Sequence, residues 1–191
     1  MLKKRAKILS KEQAAALLSY VAQLRHPARN KVIALLSLRA GLRACEIAAL
    51  SWPMVLDATG QVAGHLELRD HAAKQESGRV IPMHRHLKAS LTEWLAQSDG
   101  QGAVIKSERG GHMRAGSIVK FFERAYRALR YVGASSHSGR RTFITRAARL
   151  VHQAGGSLRD VQILAGHREI GTTAIYIDGD SDAQRKLVSL L

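Results

Sequence analysis

The chain has 191 residues, with 30 Lys+Arg against 15 Asp+Glu and a formal net charge of +15. Its 46% hydrophobic and 24% charged residues exclude a disordered chain and supply enough apolar side chains for one real core. A single cysteine, Cys45, excludes an internal disulfide and a cysteine-rich zinc module, and no run approaches the ~18 apolar residues of a membrane span. The start, MLKKRAKILSKEQ, lacks the apolar stretch of a secretory signal, so a soluble chain in a reducing compartment is expected. The excess positive charge points to polyanionic partners, nucleic acid ahead of an anionic membrane.

Ser10 followed by Gln13 reads as a capping box that opens a helix through KEQAAALLSYVAQL, with Leu17, Leu18, Val21 and Leu24 on one face. A second helix is predicted from an Asn30 cap through KVIALLSLRA, stopped at Gly41. RACEIAAL follows as a short third helix that Trp52 and Pro53 end. Residues 62–69 alternate loosely and 79–83 (RVIPM) is short and β-leaning, with the polar connection HAAKQESG between them, which predicts a β-hairpin or small sheet. Residues 86–97 return to helix with Leu87, Leu91, Trp94 and Leu95 aligned, then a brief strand (AVIK) and a Gly-Gly turn precede a helix from Ser117. Residues 137–153 read as one helix or its N-terminal approach, stopped by Gly155 and Gly156. Ser157 and Asp160 box a further helix, LRDVQILAGH. Thr172 is placed as the cap of a short turn carrying Tyr176, and DAQRKLVSLL as a final amphipathic helix. The fold class expected is mainly α with a small antiparallel β-sheet (α+β), one domain over 1–191, with a basic segment at 1–9 and a C-terminal helix at 181–191.

Several chemistries fail on residue supply. No GxxxxGK[ST] or GxGxxG motif is present to cradle a nucleotide, and no HExxH or Cys/His spacing suggests zinc. Scattered acidic residues supply a two-metal nuclease poorly, and no GxSxG elbow appears. Cations and imidazoles near helix starts and loops remain: Arg43 in GLRACEI, Lys74 in the hairpin, His137 and Arg140 three apart, His167, and Tyr176 nine residues later. Arg141 is expected to point away from the His137–Arg140 face. Taken singly, each has an ordinary reading as a surface arginine, a solvated lysine, a C-cap histidine or a half-buried tyrosine.

Together, GLRACEIAAL, K-x4-RVIP, H-x-x-R-R and LAGHREIGTTAIY resemble the tyrosine recombinase (phage integrase) family from about Lys7 to the end of the chain. GH-x4-TT-x2-Y is the most specific part. In that family a tyrosine attacks a DNA phosphodiester, leaving a 3′-phosphotyrosyl link and a free 5′-hydroxyl. The resemblance assigns Tyr176 as nucleophile, Arg43 and Arg140 as the phosphate-gripping arginines, and His137 and His167 as the two imidazole positions. It also assigns Lys74 as the hairpin lysine and Glu46 as the acid supporting the first arginine.

Elementary chemistry agrees with those assignments. Charge gathers on the equatorial oxygens of a phosphoryl transition state, where fixed guanidinium forks can hold it without a metal. A phenol needs a base or cationic neighbours at neutral pH, for which His137 is the candidate, with Lys74 as proton donor to the leaving oxygen. His167 is assigned to hydrogen-bonding the phosphate. No cofactor and no metal are expected.

The function implied is site-specific DNA recombination of the integrase or invertase type in the setting of a mobile element. The alternatives are a non-catalytic DNA-binding accessory or remnant, or a type IB topoisomerase, with a metal-dependent nuclease more distant. The implied partners are double-stranded DNA, further copies in a tetramer on two DNA sites, and an accessory DNA-bending protein, with no membrane. The implied location is the prokaryotic cytoplasm, at the nucleoid. Residues 181–191 resemble the segment that members dock on a neighbouring protomer, and their apolar side chains suit packing on their own domain equally. The N-terminal DNA-clamping domain usual in the family is expected to be absent. Arg141 stands where a histidine is common and Gly139 where a leucine is, which bears on helix packing. Asp178, Asp180 and Asp182 are read as capping the last helix. Arg109, Arg114, Lys120 and Arg124 are candidate phosphate contacts.

Overall fold

A computed structural model describes residues 6–73, 77–176 and 188–189. Helix α1 (Lys11–Val21) begins where expected: the Ser10 hydroxyl accepts the Gln13 N–H at 3.1 Å, and the Gln13 side chain accepts the Ser10 N–H at 3.0 Å. It buries Leu17 and Val21. Helix α2 (Pro27–Arg39) starts three residues before the expected cap. Pro27 takes the first helical position, where its missing N–H is an orphan anyway. Asn30, now inside the helix, donates its side-chain amide to the Arg25 carbonyl at 2.8 Å. The residues from Val32 to Leu36 are all buried, because α1, α4 and α6 pack around α2 and cover it on several sides.

Helix α3 (Ala44–Ala49) and a 3₁₀ turn at Trp52–Met54 lead to the hairpin of β1 (His65–Leu68) and β2 (Arg79–Pro82). The strands are antiparallel, with Leu66 opposite Ile81 and Leu68 opposite Arg79. Helix α4 (Arg85–Leu95) follows as expected, burying Leu87 and Leu91. The AVIK run is not a strand. It makes isolated bridges, Ala103 to Ser51 and Lys106 to His112, while Val104 and Ile105 fill the core. The Trp94 indole N–H holds the Val104 carbonyl at 2.7 Å, so this apolar loop satisfies its backbone without a ladder.

Helix α5 (Ala115–Ala128) buries Ile118, Phe122 and Ala125. The predicted 137–153 helix is α6 (Ser138–Leu150) plus a 3₁₀ turn at Val151–Ala154. Helix α7 (Leu158–Ala165) carries the Ser157/Asp160 box, and α8 (Ile170–Ala174) is capped by Glu169, which places Thr172 inside the helix rather than before it. The fold is mainly α with one two-stranded antiparallel sheet among the described residues, as expected from the sequence. At the start of the described residues Leu9 is buried, and its N–H donates to the Thr142 hydroxyl at 2.8 Å. Lys74, Asp178, Asp180 and Asp182, and all of the 181–191 segment except 188–189, lie outside the described residues.

One large apolar cluster joins α1 to α5 and the hairpin, and a small one, around Ile144, Val151 and Val161, joins α6 and α7. Gly139 sits where α6 crosses α2, and a Cβ there would collide with the Ser37 hydroxyl. A leucine at this position would have no room beside Ser37. Gly139→Ala is therefore expected to overpack the crossing and cost about 1–3 kcal/mol, read as a lower midpoint in thermal or urea unfolding. An unchanged midpoint would show that α6 can shift freely on α2.

Candidate active site

The start of α3, the start of α6, the end of α7 and the α8 turn converge on a cavity of about 420 Å³. Arg43, His137, Arg140, Arg141, His167 and Tyr176 line it. Five of the six catalytic positions named from the sequence therefore share one cleft, and the sixth, Lys74, lies outside the described residues. Arg141 is a correction: it also lines the cleft, and its guanidinium donates to the Ala6 carbonyl at 2.8 Å. Among the described residues no three His, Cys, Asp or Glu side chains come together as metal ligands would. No helix among them is long and apolar enough to cross a membrane.

Arg43 caps α3. Glu46, one turn on, accepts the Arg43 backbone N–H at 2.9 Å and its guanidinium at 2.7 Å. The same carboxylate receives both terminal nitrogens of Arg79 at 3.2 and 3.1 Å. The Glu46 side chain is fully buried and that of Arg79 only 2% exposed. Burial alone would push the Glu46 carboxyl up. The Arg79 hydrogen bonds and charge, then the Arg43 N–H and charge, outweigh it and hold the carboxyl at about 2. Arg79 also donates its Nε–H to the Leu164 carbonyl at 3.0 Å, tying β2 to the end of α7. Gly166 follows with φ +63°, and a Cβ there would stand 2.7 Å from the Arg79 guanidinium, so only glycine closes α7 this tightly.

Arg140 lies in the first turn of α6, almost fully buried. It donates to the Gly41 carbonyl at 2.6 Å, to the Ala165 carbonyl at 2.7 Å, and to His167 Nε2 at 3.0 Å. Gly41, with φ +65° and the Phe143 ring against it, presents that carbonyl where a side chain would not fit. Burial, then the Arg43 charge, lowers Arg140 to about 10, so it remains cationic at neutral pH. Burial, then Arg140, Arg43 and Arg79, lowers His167 to about 4, so its imidazole is neutral. The His167 ring stacks on Tyr176 with centroids 5.8 Å apart and planes 24° apart. His137, at the start of α6, is exposed on the cleft wall.

The two shifts set an acid sensitivity. His167 has a folded pKa below its ordinary 6.5, so its contribution to stability is complete above pH 6.5 and is lost as pH falls toward 4. Glu46 is depressed from 4.5 to about 2, so its contribution is lost in a second window, from pH 4.5 downward. His84 is also lowered, by burial and then Arg39, and acts in the same direction. Urea midpoints of the native chain and of His167→Asn, measured between pH 8 and 4, should converge as pH falls below 6.5. Parallel curves would show that His167 is not held neutral.

The phage integrase family profile matches residues 7–182. The chain belongs to the phage integrase family. This integrase-family chain is 30% identical over 179 residues to tyrosine recombinase XerC of Xylella fastidiosa strain 9a5c, covering 92% of this chain and 57% of that protein. It therefore spans little more than half the length of that curated relative. The fold is shared with the Tn1549 transposon integrase in complex with transposon right end DNA, at TM-score 0.75 and 20% identity over 100% of this chain and 67% of that one. It is shared too with the XerH site-specific recombinase bound to difH substrate, at TM-score 0.74 and 21% identity over 99% of this chain and 55% of that one.

In this integrase-family chain, sequence reasoning missed Arg79, Arg141 and Thr173 as parts of the site. Arg79 had a readable signal. Ile81 faces the core, so period-2 alternation turns Arg79 inward and leaves Val80 55% exposed. Of the candidate phosphate contacts, Lys120 and Arg124 line a different cavity with Arg25 and Arg29. Arg114 lines a third with Cys45 and His112, and Arg109 is exposed.

Proposed function

We propose that the chain is a site-specific DNA recombinase that cleaves and rejoins DNA through a 3′-phosphotyrosyl intermediate, with residues 1–191 as one catalytic domain. The Tyr176 oxygen attacks the scissile phosphorus and its proton passes to His137. The bond from phosphorus to the 5′-oxygen breaks, and that oxygen takes a proton from Lys74. Arg43 and Arg140 hold the non-bridging oxygens as charge builds. A 5′-hydroxyl from another strand reverses the step, so the bond energy stays in the phosphotyrosine and no ATP is consumed. Exchange between two duplexes calls for four copies on two DNA sites, with a DNA-bending helper protein, in the bacterial cytoplasm at the nucleoid. The net charge of +15 suits that polyanionic setting.

The observation that carries the reading is the cleft that Arg43, Arg140, His137, His167 and Tyr176 line together. A tyrosine in a merely structural role has no need of two arginines, one buried and one half-buried, converging beside it. The test uses a library of nicked duplexes whose short cleaved fragment diffuses away and so traps the intermediate. The chain should retain DNA through denaturation in excess chelator, and peptide mapping should place the nucleotide on Tyr176. DNA retarded in a gel with no covalent product would leave a binding protein instead. A nucleotide mapped to another residue would overturn the chemistry.

A further inference from the structure

We propose that Thr173 is a positioning residue: its hydroxyl holds His167 as the Nδ1–H tautomer, leaving the Nε2 lone pair to orient Arg140. The argument starts from donor inventory. A guanidinium has five N–H groups and no acceptor, so at the 3.0 Å contact between Arg140 and His167 the ring nitrogen Nε2 must be the acceptor. A neutral imidazole that accepts at Nε2 carries its proton at Nδ1. That nitrogen lies 3.0 Å from the Thr173 hydroxyl oxygen, which accepts it. Thr173 is fully buried, so no water competes for the contact.

The chain of bonds runs one way, from Arg140 through His167 to Thr173, and its consequence is geometric. Three of the five Arg140 N–H groups are taken by the Gly41 carbonyl, the Ala165 carbonyl and His167 Nε2, which fixes the plane of the fork from three directions. The ring that provides the third acceptor also stacks on Tyr176. One hydroxyl, three residues before the nucleophile, thus sets the angle of the ring between an arginine and a tyrosine. This assignment differs from the role that family resemblance gives His167, since an Nε2 accepting from Arg140 has no proton to donate to a phosphate in this state.

The kinetic arm of the test rests on the proposed function, whereas the spectroscopic arm does not. Histidine ring nitrogens are followed by ¹⁵N NMR in the full chain at pH 7.5, with His167 assigned by its loss in His167→Asn. The native chain should show a protonated Nδ1 and an unprotonated Nε2. Thr173→Val, isosteric but without the hydroxyl, leaves the Nδ1–H with no acceptor, so the ring should turn off Arg140, lose that single tautomer and slow covalent adduct formation by about 10- to 100-fold, with DNA affinity kept within about threefold. Thr173→Ser should restore both to near native. An Nε2–H or doubly protonated ring in the native chain overturns the proposal. So does a Val variant that keeps either the native tautomer or the native rate. If no adduct forms with any duplex, the proposed function fails and the ring nitrogens still decide the tautomer. If the Val variant unfolds, the native spectrum and the Ser variant decide it.

Discussion

Tyr176→Phe is expected to abolish covalent DNA capture and leave the fold and DNA affinity in place. The ring of Tyr176 stacks on His167 at 5.8 Å and packs against the small apolar cluster of α6 and α7, and phenylalanine keeps both contacts. Only the oxygen is lost, and with it the one nucleophile the proposed chemistry has. Removing a nucleophile outright costs at least about 10⁴-fold in rate, since the remaining cations can bind the phosphate and still have nothing to attack it with. Adduct should fall below detection on the nicked duplexes, with retardation of the same DNA changed by less than about threefold and an unfolding midpoint near native. Adduct persisting in the variant would mean that another side chain attacks, and the roles given to Arg43, Arg140 and His137 would all have to be reassigned.

Glu46→Gln should be among the most damaging single changes to the fold, although the substitution alters one atom. Its carboxylate sits fully buried between two guanidinium groups, and that of Arg79 is 2% exposed. The neutral amide can accept from one fork but cannot balance two cations. Its own N–H₂ group would also face a donor where the second carboxylate oxygen now accepts. Breaking a buried pair by removing one partner costs about 3–5 kcal/mol, because the other charge is left desolvated. At about 2–4 °C per kcal/mol for a chain of this size, the melting midpoint should drop by roughly 10 °C. Arg43→Ala, at a side chain 19% exposed, should cost much less stability while still eliminating cleavage. A Glu46→Gln midpoint within a degree or two of native would show that water reaches the pair and that it does not organise the site.

The depth at which each residue could be read from sequence follows from the range of the interaction that places it. Capping boxes act over three residues, and those at Ser10 and Ser157 are where the residue pattern puts them. The start of α2 differs from the expected one because Asn30 is an acceptable cap and Pro27 a better opening, a local competition settled by the fixed φ of proline. AVIK has strand composition, yet a strand exists only where a partner lies alongside, and here the partners reduce to single bridges. Threonine is a good cap, which is what the sequence suggests for Thr172. Its actual place is inside α8, and the neighbouring Thr173 turns inward to His167.

What the residue string determined alone was the family resemblance and the order of its motif residues along the chain. Arg43, His137, Arg140, His167 and Tyr176 carry that resemblance in their identity and spacing, whereas their meeting in one cleft depends on how α3, α6, α7 and α8 pack. Only the tertiary structure decided which groups hydrogen-bond to which: that Glu46 serves two arginines from α3 and β2, that Arg141 enters the cleft, and that Thr173 backs His167. Those contacts bridge segments as far apart as residues 6 and 141, through burial that removes water as a competing partner. Desolvation is a property of the packed whole, so neither the depressed Glu46 and His167 nor the orientation of Arg140 can be written in any short stretch of sequence.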